Sequence, residues 1–120
     1  MESILDDIKK LLGIPKENEH FDKDLVIFIN AAFAALFQLG VGPKEHAYKI
    51  EGVENTWDEF IGTSTNIENA KTYVFMSVKL AFDPPSTGPA MNSLKELLKE
   101  TEWRLNVECD KEAYIIGQDA

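Results

Sequence analysis

The stretch IENAKTYVFMSVKLAFDPP, residues 67–85, constrains the fold more than any other part of the chain. Ile67, Ala70, Val74, Val78 and Ala81 recur at helical spacing on one face, while Tyr73, Met76 and Leu80 form a second apolar stripe. A helix with two apolar faces belongs at the centre of a small bundle, and one of those faces can also serve between subunits. Two adjacent prolines then close the segment. The residue before a proline is pushed out of helical backbone, so the helix is predicted to end near Phe82 or Asp83.

Beyond the prolines, Ser86 or Thr87 can cap the next helix, with Pro89 in its first turn. Met91, Leu94, Leu98 and Leu105 continue its apolar stripe as far as about residue 108. FDPPSTGP therefore reads as a corner between two antiparallel helices. Phe82 would anchor that corner, and Leu94 and Leu98 would pack back on Val74 and Val78.

Two helices precede this pair. SILDDIKKLLG places Ile4, Leu5, Ile8, Leu11 and Leu12 on one face, with Ser3 as N-cap, Asp6 and Asp7 in the first turns and Gly13 at the end. Asp22 can cap a second helix reaching about Leu39, built on Leu25, Phe28, Ile29, Ala32, Leu36 and Leu39. Val26, Phe33 and Phe37 add a second stripe. Gly40, Gly42, Pro43 and Gly52 then break the helical period, and Tyr48 and Ile50 alternate with charged neighbours, which predicts a long extended loop or a small β-ribbon. TWDEF has capping-box spacing: Thr56 can cap Glu59, Glu59 can reach back, and a short helix is expected over 57–61. The fold class is thus all-α, four main helices plus a short one. Residues 1–108 are expected to form a single domain and 109–120 a flexible tail.

A length of 120 residues fits one core, and no apolar run approaches the ~18 residues needed to span a bilayer. The opening MESILDDIKK lacks the basic start and long apolar stretch of a signal peptide, so a cytoplasmic chain is expected. Cys109, the single cysteine, cannot form an internal disulfide and sits in no motif. A formal net charge of −9 argues against gripping nucleic acid, which requires clustered Lys and Arg.

Chemistry finds little footing. His20 and His46 stand in separate loops without ligand-spaced partners. Asp22 with Asp24, and Asp58 with Glu59, lie at helix starts, where carboxylates favour the positive end of the dipole. GVGP lacks the ending of a phosphate loop, and no nucleophile–base order is present. No catalysis, metal or cofactor is expected.

Taken in order, QLGVGP (38–43), TWDEFIG (56–62), KTYVFMSVKLAFDPP (71–85) and EWRLNV (102–107) resemble the head-tail connector proteins of tailed bacteriophages and prophages. The likeness covers roughly 22–107 and rests on apolar residues, prolines and one Trp-Arg pair. It implies a helical neck adaptor that assembles as a twelve-fold ring on the portal protein and receives the next neck or tail-completion protein. Such a protein resides in the virion neck, and in the bacterial cytoplasm during assembly.

On that reading Tyr48 and Ile50 of the long loop, Tyr73, Met76 and Leu80 of the central helix, and Trp103 and Arg104 are the candidate partner or subunit contacts. Trp and Arg are residue types enriched at interface hot spots. Glu51, Glu54, Asp58 and Glu59 would form an acidic surface facing the DNA channel, repelling the passing duplex. The competing class is a small acidic binding or regulatory protein, a DNA-mimic inhibitor, which needs no self-association. A small enzyme would need a polar pocket that the sequence does not indicate.

Overall fold

The computed structural model describes residues 3–43, 45–61 and 67–119, with the side chains of Ile61, Ile67 and 108–119 outside the description. Asn66, expected to open the central helix, the Ile67 position on its face, and the thiol of Cys109 therefore lie outside the described residues. Among the described residues five helices follow in order: α1 (Ile4–Leu12), α2 (Asp22–Gln38), α3 (Trp57–Ile61), α4 (Ile67–Phe82) and α5 (Gly88–Asp119). Among the described residues no strand forms between α2 and α3, and an isolated antiparallel bridge joins Ser3 to Thr56.

Local chemistry sets most boundaries where the sequence places them. The Ser3 hydroxyl accepts from the Asp6 N–H (3.3 Å), and α1 closes at Gly13 with φ 80°, a left-handed backbone suited to glycine. α4 ends at Phe82, just before the prolines. Thr87 starts α5 by accepting from the Ala90 N–H (3.3 Å).

The expected Asp22 cap is replaced by a different arrangement. Phe21 occupies the N-cap without a side-chain bond, and Asp22, already helical, pairs instead with Lys9 of α1 (2.9 Å). The Lys9 ammonium is 1% exposed and also donates to the Lys16 carbonyl (3.0 Å), so a buried cation draws the carboxylate away from its own helix end. The Thr56 box is likewise half formed. Thr56 Oγ1 accepts from the Glu59 N–H (3.4 Å), but the Glu59 carboxylate turns to Tyr48 and Asn55.

α4 is the middle layer, packed against α1, α2 and α5. Both of its predicted stripes are used: Ala70, Val74 and Val78 are buried on one side, Tyr73 and Met76 on the other, and Leu80 is half-buried. Ala81, at the far end of the first stripe, is exposed. α1 inserts Ile4, Leu5 and Ile8, and α2 inserts Leu25, Ile29, Ala32, Phe33 and Leu36. Phe37, from the second α2 stripe, is exposed, and Val26 is half-buried. α5 contributes Leu105, Thr101 and the partly buried Leu98.

At the proline corner Phe82 is half-buried, edge-on to Phe21 (5.3 Å) and Phe28 (6.4 Å). α5 spans 32 residues and runs through the stretch 109–119 expected as a tail.

Candidate interaction surfaces

The second half of the loop between α2 and α3 is tied down to the helices around it. Asn30, a polar residue inside the apolar helix α2, donates through Nδ2 to the Ile50 carbonyl (3.1 Å) and accepts from the Ile50 N–H (2.8 Å). It thereby satisfies both backbone groups of a buried loop residue, as a neighbouring strand would. Asn55 Oδ1 accepts from the Glu51 N–H (2.8 Å), and the Ile4 N–H donates to the Asn55 carbonyl (3.0 Å), stitching α1 to the loop. Trp57 Nε1 donates to Asp7 (3.0 Å), a second tie between α1 and α3.

Beneath these bonds lies an aromatic cluster. Phe33 meets Tyr48 (5.3 Å), Trp57 (6.2 Å) and Phe60 (4.5 Å) within centroid distances typical of favourable ring pairs. Gly42, at φ +94°, lets the chain pass against Phe60; a Cβ there would stand 2.5 Å from Phe60 Cε1. The Tyr48 hydroxyl donates to Glu59 (2.8 Å), and its pKa is pushed up to about 12 by burial, then by the Glu59 carboxylate. The Tyr73 hydroxyl donates to Glu102 of α5 (3.1 Å) and is likewise pushed up to about 12, by burial and then by the Glu102 charge.

The expected contact residues thus separate by depth. Ile50, Tyr73 and Met76 are buried within the chain, Tyr48 and Leu80 are half-buried, and Trp103 and Arg104 stand out in solvent. Trp103 is 66% exposed, and Arg104 is paired with Glu100 (2.6 Å). Glu51, Glu54, Asp58 and Glu59 are exposed within one stretch of chain, with Glu59 held by Tyr48 and Asn55.

Asn30 and Lys9 were absent from the sequence-derived candidates. Their signal was a polar residue inside an apolar helical run, and a lysine one turn beyond Leu5 on the buried stripe.

The described residues form open grooves on the surface, two of which bear on the candidate contacts. One, of about 640 Å3, runs along α1 between Asp6, Asp7, Lys10 and the turn Gly13–Lys16. The other, of about 470 Å3, lies between the start of α2 and the loop residues Glu51–Val53. Among the described residues no group of three or more His, Cys, Asp or Glu is placed to hold a metal ion, and no helix is long and apolar enough to cross a membrane.

These surfaces sit on a chain whose sequence matches, over residues 4–112, the profile of a family described as phage connector protein. The chain belongs to that family. The match runs from the first residue of α1 into the second half of α5, so it takes in every helix of the bundle. No curated protein and no solved structure matches the chain. Membership gives a phage connector role in general terms, and suggests interaction with other phage head or tail proteins and a virion-associated location.

Proposed function

We propose that this chain is a structural head-tail connector that assembles on the portal as a twelve-fold ring, joins the capsid to the tail and performs no catalysis. The observation that carries this reading is the connector-family match across the whole bundle. Trp103 and Arg104, exposed on α5, are the contacts offered to the portal or to the next neck or tail-completion protein. Tyr48 and Leu80, half-buried, flank subunit contacts, while Ile50, Tyr73 and Met76 act from within by stiffening the elements that make them. The exposed carboxylates of Glu51, Glu54, Asp58 and Glu59 line the side that faces DNA, where like charge lets a duplex pass without adhering. Residues 1–108 form the body and 109–120 a tail.

A net charge of −9 makes copies of the isolated chain repel, so ring closure depends on the portal as template. Co-expression with the portal encoded nearby, followed by imaging, tests this reading. A ring of this chain seated on the portal is expected, and its absence from portal complexes and from virions would overturn it.

A further inference from the structure

We infer that the groove at the start of α2 receives the outer face of α5 from a second copy of this chain, in a head-to-tail contact. The inference gives residues to the ring interface and rests on the connector reading only for its biological setting. Leu5 floors the groove, half-buried Val26 lines it, and Ile27 and Val53 stand on its walls, 63% and 51% exposed. Asp22, Lys23 and Glu51 are its charged lining, and because Asp22 is engaged by Lys9 (2.9 Å), Lys23 and Glu51 are the cation and carboxylate its rim offers to a partner. Ile27 has no inward role, because the core side of α2 is supplied by Leu25, Ile29, Ala32, Phe33 and Leu36.

The complementary shape is on α5. Leu98, Thr101 and Leu105 turn inward, which leaves Leu97, Glu100 and Arg104, spaced i, i+3, i+7, on a single outer face. Leu97 is 52% exposed and is followed along the helix by the Glu100–Arg104 pair. An apolar knob beside one carboxylate and one cation matches an apolar groove rimmed by one cation and one carboxylate. Lys23 would meet Glu100, and Glu51 would meet Arg104; on this inference Glu51 and Arg104 belong to the seam between copies, and the DNA-facing surface and the portal contact rest on Glu54, Asp58, Glu59 and Trp103. Within one chain α5 packs chiefly on α4, and α4 in turn on α2 and α1, which sets the two patches on different helices of the bundle. A second copy brings them together, and the contact is heterologous: each copy keeps a free groove and a free knob, so the association can propagate, and the portal sets where it closes.

Cross-linking tests this directly. Val53→Cys and Leu97→Cys are combined in a Cys109→Ser background, with folding of every variant checked by circular dichroism, and the full chain is oxidised at about 1 mM. The double variant should give a ladder of dimers, trimers and higher species, whereas each single variant stops at dimers. Adding Ile27→Asp should cut the ladder at least about ten-fold. Glu51→Lys and Arg104→Glu should each weaken it, and the two together should restore it, a rescue that loss of folding would not produce.

A double variant that yields no species beyond those of the single variants overturns the inference, as does charge reversal without rescue. The two readings fail separately. No ladder from a chain that still seats on the portal would leave the connector reading standing, and a full ladder from a chain absent from portal complexes would sink that reading alone.

Discussion

The loop-and-helix segment 48–60 and the helix α5 divide the chemistry of the molecule unequally. The first turns its aromatic rings and amides inward: Ile50, Trp57 and Phe60 are buried, and Asn30, Asn55 and Asp7 occupy its polar groups. α5 buries one stripe and leaves Leu97 and Trp103 in water. A long loop held by edge-on and tilted ring contacts and by paired amides behaves as part of the core, while a helix anchored on one face keeps the other for partners. The hydrogen bonds of Asn30 hold Ile50 of this loop against α2 as part of the wall of the bundle.

The sharpest way to break this contrast is at Phe33. The ring is fully buried and touches Tyr48, Trp57 and Phe60, so Phe33→Ala should cost about 3–5 kcal/mol, read by chemical denaturation. A loss below about 1 kcal/mol would mean that the cluster does not hold the loop. Next comes Asn30→Ala, which strands the N–H and C=O of Ile50 and should cost about 1–3 kcal/mol. Hydrogen exchange at the Ile50 amide should rise with it, while amides of α4 remain protected.

α5 meets the bundle through one polar tie that pH can probe. Because the folded Tyr73 hydroxyl titrates near 12 and an unfolded one near 10, the unfolded chain releases its proton first as pH rises. The stabilisation is complete below pH 10 and is lost between about 10 and 12. Tyr48 adds to the same window. Urea midpoints should therefore fall above pH 10, and Tyr73→Phe should flatten part of that slope. An unchanged slope would show that neither burial nor the Glu102 charge raises the phenol in the folded chain.

How much of this was legible depends on range along the chain. Helix ends written in local chemistry, such as Ser3, Gly13, Thr87 and the Pro84–Pro85 stop, were readable because capping involves neighbours three or four residues apart. The Asp22 cap was misread because its partner, Lys9, lies thirteen positions back and becomes a neighbour only when α1 docks. Glu59 was drawn off its box for the same reason, by Tyr48. Among candidate contacts, Ile50, Tyr73 and Met76 fit an interface as well as a core, since an apolar residue at helical or extended spacing does not reveal which surface covers it. Trp103 read equally as a core edge or a contact, and the structure places its ring off the inward stripe Leu94, Leu98, Leu105, in solvent.

The smallest effect on stability is expected at Trp103, and that smallness is the point. Its indole is 66% exposed and takes no part in the ring cluster around Phe33, so Trp103→Ala should shift stability by no more than about 0.5 kcal/mol. A ring that stands mostly in water is hydrated much alike in the folded and unfolded chain, so deleting it changes the free energy of folding little. A partner that covers the ring would gain from it, at a scale of about 2 kcal/mol or more for a hot-spot tryptophan. Co-purification of the Trp103→Ala chain with the portal should accordingly drop by at least about ten-fold while its urea midpoint stays put. If instead the midpoint fell sharply and co-purification held, the indole would belong to the fold, and the division of labour between α5 and the 48–60 segment would be wrong where it matters most.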